Sequence, residues 1–130
     1  MHAGVISSRL IFEEWIRPCA RFNAVLAAIG GCGPVAVLPE KTRIAFQVRM
    51  SFAQVSPRQR WLEGHLVLAR RVPRARFRRI DGISRRNHAH HFRQVTAGQI
   101  DSEFRDWLRK AYAVGSQEPL RTNGNAKPAT

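Results

Sequence analysis

Residues 42–52, TRIAFQVRMSF, alternate apolar and polar side chains along their whole length. Successive side chains of a β-strand point to opposite faces of a sheet, so this pattern predicts one long strand with a buried and a solvated face. The apolar set is Ile44, Phe46, Val48, Met50 and Phe52. A strand of this kind needs neighbouring strands and a covering layer, and the flanking segments are expected to supply both.

Further strands are predicted on both sides of residues 42–52. The predicted segments are VAVL (35–38), WLEGHLVLARR (61–71), ARFRRIDGI (75–83) and NHAHHFRQV (87–95). The polar turn SPRQR (56–60) joins the second of these segments to residues 42–52 as a hairpin. The last two segments are expected to flank a turn near Asp81 and Gly82, and the first is expected to be a short edge strand.

Two helices are predicted to flank the strands. Residues 7–29 form a helix interrupted at Pro18, and Thr96 with Gln99 forms a capping box ahead of an amphipathic helix that Gly115 ends. The sequence therefore predicts a single α+β domain over residues 1–117. It contains a four- to five-stranded antiparallel sheet flanked on one face by N- and C-terminal helices, and residues 118–130 are expected to be a disordered tail.

Positive charge is the strongest compositional feature of the chain. It has 22 basic and 9 acidic residues, and 14 of the basic but only 3 of the acidic residues lie in residues 40–95. A basic surface attracts nucleic acid, anionic lipid or acidic protein, and the predominance of arginine suits phosphate recognition. The same predominance also arises from a GC-rich genome, so composition leaves two explanations of the charge open.

Four sequence strings carry a resemblance to a known family. They are KTRIAF (41–46), HLVLARR (65–71), NHAHHFR (87–93) and FRDWLRKAYAVG (104–115). With these strings the chain resembles a family of small bacterial domains of unknown function, over about residues 33–117. The resemblance implies a cytoplasmic bacterial module and assigns no activity. No stretch reaches the roughly 20 apolar residues of a membrane helix and no secretory leader is recognisable, which favours the same localisation.

The segment NHAHHFRQV contains three histidines. On a strand His88 and His90 point the same way and His91 the opposite way, so the first two could share a metal ion with His65 as a third ligand. No acidic residue or cysteine lies in residues 83–99, and the neighbouring arginines repel a cation. The sequence therefore predicts no metal site. The histidines either pack and hydrogen-bond within the fold or line an anion-binding surface.

Catalytic patterns are absent from the sequence. The sheet segment contains only the carboxylates Glu40, Glu63 and Asp81, which gives no clear acid/base pair, and GGCGP precedes a strand where a nucleotide-binding loop precedes a helix. Cys19 and Cys32 have no catalytic neighbours and are expected to be free thiols. The chain is therefore not expected to be an enzyme, and no cofactor is expected.

The functional hypothesis is a non-catalytic module that binds an anionic partner, nucleic acid or a phosphate-bearing ligand, on a basic sheet face. The predicted anion-binding residues are Arg43, Arg49, Arg76, Arg78, His88, His90 and Arg93. Trp15 and Trp61 are candidate stacking groups. The alternative is a protein–protein adaptor or dimerisation module whose charge is compositional, with a second copy of the chain as partner. A membrane partner is not expected.

Overall fold

The computed structural model describes residues 16–117. Its helices are α1 (Ala20–Gly30) and α2 (Ser102–Gly115), and a 3-10 turn (Ala97–Gln99) precedes α2. Its strands are β1 (Ala36–Pro39), β2 (Ile44–Gln47), β3 (Ser51–Pro57), β4 (Leu62–Leu68), β5 (Arg79–Ser84) and β6 (Asn87–Gln94). The α+β class predicted from the sequence is confirmed.

The strands form one open antiparallel sheet in the order β1-β2-β3-β4-β6-β5. The first four follow one another as a meander, whereas β6 lies between β4 and β5. The edge strands of this sheet are therefore β1, as predicted, and β5. The chain must skip one strand position when it passes from β4 to β5.

Both helices pack on the same face of the sheet, here called the inner face. Phe22 of α1 stacks on Phe46 of β2 with ring centroids 6.1 Å apart. Phe104 of α2 packs edge to face on Phe92 of β6 at 4.9 Å. All four rings are at most 2% exposed, so these contacts lie in the centre of the hydrophobic core. The opposite side of the sheet is called the outer face.

Residues 69–78, here called the strap, connect β4 to β5 beneath β6 on the inner face. The backbone N–H of Val72 donates to Nε2 of His90 at 2.9 Å. Phe77 packs on the His90 ring at 4.9 Å and on Trp107 at 4.6 Å. The strap therefore forms part of the layer that covers the inner face, together with the two helices.

Helix α2 is fixed to the sheet at its end as well as along its apolar side. At its start Asp101 accepts a hydrogen bond from the N–H of Phe104 at 2.9 Å, which satisfies one of the free donors of the first turn. At its end the carbonyl of Gly115 accepts the N–H groups of Arg49 at 2.9 Å and Met50 at 3.0 Å. The connection between β2 and β3 is thus bonded to the C-terminus of α2.

The prediction of one continuous strand over residues 42–52 is wrong. Strand β2 ends at Gln47, strand β3 begins at Ser51, and these two residues pair across a hairpin whose register shifts next to Phe46. Of the intervening amides, those of Arg49 and Met50 donate to Gly115, and that of Val48 donates to the carbonyl of Met50 within the turn. One predicted strand is therefore two, and the sheet has six strands where four to five were predicted.

The predicted turn near Asp81 and Gly82 is also wrong, because both residues lie within β5. The connection to β6 is at Arg85 and Arg86, and β5 begins only at Arg79 because the residues before it belong to the strap. The predicted capping box of Thr96 and Gln99 is present, but it caps the 3-10 turn ahead of α2.

Residues 1–15 and 118–130 lie outside the described residues. The helical segment before Pro18, the stacking role of Trp15 and the disordered tail therefore stay predictions of the sequence. The same is true of the domain boundary at residues 1–117.

Gly64 of β4 leaves no room for a side chain. A Cβ at this position would lie 2.7 Å from Cζ of Phe92 and 2.8 Å from the carbonyl oxygen of Gln54. We expect Gly64→Ala to lower the free energy of unfolding by about 1–3 kcal/mol, because overpacking forces backbone shifts. Urea denaturation measures this loss. A Cβ at Gly98 would meet nothing within 4 Å, so Gly98→Ala is the control and an equal loss there would contradict the packing argument.

Candidate functional site

A row of polar side chains crosses the outer face of the sheet. Residues that pair directly across antiparallel strands share a face. The register pairs Gln54 with His65, His65 with His91, and His91 with Arg79, so these four side chains lie side by side on β3, β4, β6 and β5. The imidazole rings of His65 and His91 have centroids 5.3 Å apart.

Asp81 and Arg79 hold His91 in place. Oδ2 of Asp81 lies 3.0 Å from Nε2 of His91 and accepts the Nε–H of Arg79 at 3.0 Å. A carboxylate accepts, so Nε2 of His91 is the donor and a neutral ring leaves Nδ1 as an acceptor. Nη2 of Arg79 is 3.4 Å from the same ring nitrogen. The three side chains form one network on the edge of the sheet.

His65 is the most strongly perturbed titratable group of the outer face. Burial first, and then the charges of His91 and Arg43, lower its pKa from 6.5 to about 4, while Asp81 opposes the shift. Within the described residues neither ring nitrogen of His65 makes a hydrogen bond. His65 is therefore a neutral imidazole near neutral pH, and the charges that act on it are those of Arg43, His91 and Asp81.

A second cluster lies at the start of β4, beside the histidine row. Glu63 accepts hydrogen bonds from Nε1 of Trp61 at 2.8 Å and from Nη2 of Arg93 at 3.1 Å. The Arg93 guanidinium lies 4.3 Å from the centroid of the Trp61 ring. One face of the Trp61 ring, a candidate stacking group, is therefore already covered by an arginine of the protein itself.

The arginines of the outer face are paired with carboxylates. Arg43 bonds Glu40 at 2.9 Å, in the same way that Arg79 and Arg93 bond their acidic neighbours. Each of these pairs is formally neutral, which leaves little excess charge on the outer face while its histidines are neutral. Positive charge is therefore not concentrated where the sequence analysis placed it.

His88 and His90 belong to the inner face. The register pairs them with Leu68 and Leu66, and His90 is fully buried. Nδ1 of His90 bonds the carbonyl of His88 at 2.9 Å and Nε2 accepts the strap amide, so both ring nitrogens have internal partners. These histidines point away from His65, His91 and Arg93, as alternation along the strand requires.

Arg76 and Arg78 also lie away from the outer face. The Arg76 guanidinium lies 4.6 Å from the Phe104 ring centroid and donates to the carbonyl of Gln99 at 2.9 Å, which places it over the helical layer. Arg78 is exposed and its backbone N–H extends β5 by bonding His91. The expectation that all seven predicted side chains share one platform is therefore wrong.

A different group of arginines gathers at one end of the sheet. The antiparallel order brings together the β2–β3 turn, the start of the strap and the β5–β6 turn, because β3 begins, β4 ends and β6 begins at that end. These connections carry Arg49, Arg70, Arg71, Arg85 and Arg86, here called the arginine end. All five are exposed, and within residues 16–117 none of them forms an ion pair.

The six carboxylates of residues 16–117 lie away from the arginine end. Glu40, Glu63 and Asp81 bond outer-face arginines, as described above. Asp101, Glu103 and Asp106 are at the start or in the first half of α2, whose last residue contacts the β2–β3 turn. From strand spacing, the two outer turns of the arginine end are about 14 Å apart. The result is a row of guanidinium groups that has no acidic neighbour among residues 16–117.

The predicted site thus contributes only Arg49 to the arginine end. The predicted set did not include Arg70, Arg71, Arg85 and Arg86, nor the pairing of His65 with His91. One signal was present: Phe92 has the same parity as His90, and a buried phenylalanine turns both toward the core. No comparable signal marked the arginines of the chain connections, because the strand order decides which connections lie at the same end of the sheet.

In the described part of the chain, no three His, Cys, Asp or Glu side chains are grouped so that they could hold a metal ion. Cys19 and Cys32 are free thiols. Among residues 16–117 no helix combines the length and apolar character that crossing a bilayer requires.

A family model described as a domain of unknown function, DUF5655, matches residues 20–115. The chain belongs to this family. The match confirms the resemblance to an uncharacterised family, and it includes α1, which precedes the residues that carried the resemblance. No curated protein and no solved structure matches the chain. Membership of DUF5655 therefore assigns no activity, and function must be argued from the surfaces themselves.

The lowered pKa of His65 makes stability depend on pH. Between pH 6.5 and about 4 the unfolded chain binds a proton at this residue and the folded chain does not, so stability falls as the pH falls through that window. Between about pH 7.5 and pH 5 we expect His65 to account for a loss of about 2 kcal/mol in unfolding free energy. Urea denaturation at both pH values, with His65→Gln alongside, measures the contribution. Identical pH profiles for the two proteins would contradict it.

Proposed function

We propose that the protein is a non-catalytic module that binds nucleic acid through phosphate contacts at its arginine end. The observation that carries the proposal is the contrast between two sets of arginines. Those of the outer face are paired with carboxylates, whereas the five of the arginine end are exposed and without ion pairs within residues 16–117. Unpaired guanidinium groups are free to form bidentate bonds with phosphate oxygens.

The geometry favours backbone contacts over base recognition. Base stacking needs exposed aromatic rings, and the large exposed hydrophobic residue nearest to the arginine end is Ile83, which is 61% exposed. Trp61 lies at the other end of the sheet and packs against Arg93. The supported activity is therefore binding with little sequence preference and a strong dependence on salt.

The second candidate is a protein–protein adaptor or dimerisation module. The observation in its favour is strand β5, an edge strand that carries the exposed Ile83. An edge strand presents unpaired backbone groups to which another chain can add a strand. Arg85 and Arg86 follow β5 directly, so two copies of this edge would bring like charges together. This opposition makes self-association the weaker candidate.

Removal of two arginines from the arginine end should weaken nucleic-acid binding. We expect Arg85→Ala with Arg86→Ala to reduce the slope of log affinity against log salt by about 1.4 to 1.8, since each lost phosphate contact removes about 0.7 to 0.9. Fluorescence anisotropy with a labelled duplex and a single strand, over about 50 to 200 mM salt, measures both affinity and slope.

A matched variant separates position from net charge. Arg58→Ala with Arg60→Ala also removes two exposed arginines from a hairpin connection, but at the opposite end of the sheet. We expect this pair to retain most of the affinity and slope. Equal losses from the two variants would show that only net charge matters. Absence of binding near 0.1 M salt, with a dimer in sedimentation equilibrium, would favour the adaptor function instead.

A further inference from the structure

We propose that His65, His91, Arg43 and Arg79 form a binding site for a phosphate monoester dianion on the outer face of the sheet. This site is separate from the arginine end and does not depend on the proposed function. Its centre is the imidazole pair on β4 and β6, whose ring centroids are 5.3 Å apart. Arginine side chains stand on both sides, one on the edge strand β5 and one just before β2.

The first argument is that the imidazole pair has unused hydrogen-bonding capacity. Within the described residues neither nitrogen of His65 has a hydrogen-bond partner, and Nδ1 of His91 has none either. Asp81 fixes the orientation of the His91 ring by accepting a hydrogen bond from Nε2, as a carboxylate does for many metal-binding histidines. A bound anion would accept a hydrogen bond from His65, whereas Nδ1 of His91 is an acceptor in the neutral ring and could donate to the anion only if that ring gained a second proton.

The second argument is electrostatic. The charged and titratable side chains around His65 lie on β4 itself, on β5 and β6, and just before β2, whereas the neighbouring strand β3 contributes only the uncharged Gln54. They are Arg43 ahead of β2, Glu63 on β4, Asp81 and Arg79 on β5, and His91 and Arg93 on β6. Both carboxylates are already held by arginines. The charges of His91 and Arg43 add to burial in keeping the His65 ring neutral. A dianion placed among these groups reverses that effect, so His65 takes up a proton when the anion binds.

The same reasoning selects the class of ligand. A phosphate monoester carries close to two negative charges at neutral pH, whereas each nucleic-acid diester carries one. The dianion therefore draws a proton onto His65 more strongly than an internal phosphate of a strand does. A free phosphomonoester and the terminal phosphate of an oligonucleotide present this same group.

Sulfate is the probe for the protonation step, because its charge is constant across the pH range used. Isothermal titration of the full-length protein at constant ionic strength should show affinity rising at least tenfold as the pH falls from about 7.5 to about 5.5. Titrations in two buffers of different ionisation enthalpy should show proton uptake. His65→Gln should abolish the uptake and weaken binding about tenfold or more.

His88→Gln is the matched control, since it makes the same substitution at a histidine of β6 that lies on the inner face of the sheet. It should leave sulfate affinity and proton uptake unchanged. Proton resonances of the His65 ring provide a second measurement, and they should move toward the protonated position when sulfate is added. Circular dichroism shows whether each variant is folded.

Two further arms distinguish the source of the phosphate. Inorganic phosphate is compared at about pH 7.5 with an oligonucleotide that carries either a 5′-phosphate or a 5′-hydroxyl. If the protein prefers the 5′-phosphate oligonucleotide and His65→Gln removes that preference, the site is assigned to nucleic-acid ends. If the two oligonucleotides bind equally and inorganic phosphate also binds, the site is assigned to small monoesters. Both results support the site. Arg85→Ala with Arg86→Ala should retain phosphate binding, so the two proposals can fail separately. The phosphate-site proposal would be overturned if neither sulfate nor phosphate showed saturable binding, or if His88→Gln lost as much sulfate affinity as His65→Gln.

Discussion

The contact between Phe92 and Phe104 is the constraint on which the arrangement of the sheet depends. It places the even-numbered residues of β6 under the helices, and strict alternation then places His91 and Arg93 on the outer face. A slip of one residue would reverse every side chain of the strand. Because β6 pairs with both β4 and β5, its parity also decides which face their polar residues occupy. One aromatic contact thus separates a fully buried histidine, His90, from the partly buried pair of His65 and His91 on the outer face.

Charge on this chain is organised by the scarcity of carboxylates. The three carboxylates of the sheet segment neutralise three arginines of the outer face, which leaves the connections at the arginine end without acidic partners in the described part of the chain. The two surfaces consequently differ in kind. The arginine end has permanent charge and suits an extended polyanion, whereas the histidine pair acquires charge only when a proton is bound and suits a compact anion. Net charge alone would have described both surfaces in the same way.

Much of the fold could be predicted from the sequence, because it follows from periodicity. The alternation in residues 61–71 and 87–95, and the apolar stripe of α2, correspond to elements of the structure. The break after Gln47 could not be predicted, since the bond that causes it comes from Gly115, distant in sequence. The site was less predictable for the same reason. Arg76 and Arg78 cannot be told apart by residue type and spacing, but the Arg76 guanidinium packs on Phe104 and therefore lies over the helical layer.

The position of β6 between β4 and β5 has a consequence for the order of assembly. Among themselves, strands β1 to β4 pair as a meander of neighbours in sequence, and β5 with β6 forms another local hairpin. Among the six described strands, the ladder between β4 and β6 is the junction that is not local in sequence, and closing it must order the whole strap. Loop closure of this length carries an entropic penalty before any contact is gained. The two halves are therefore expected to form early, and their docking, which buries His90, is expected to limit the folding rate.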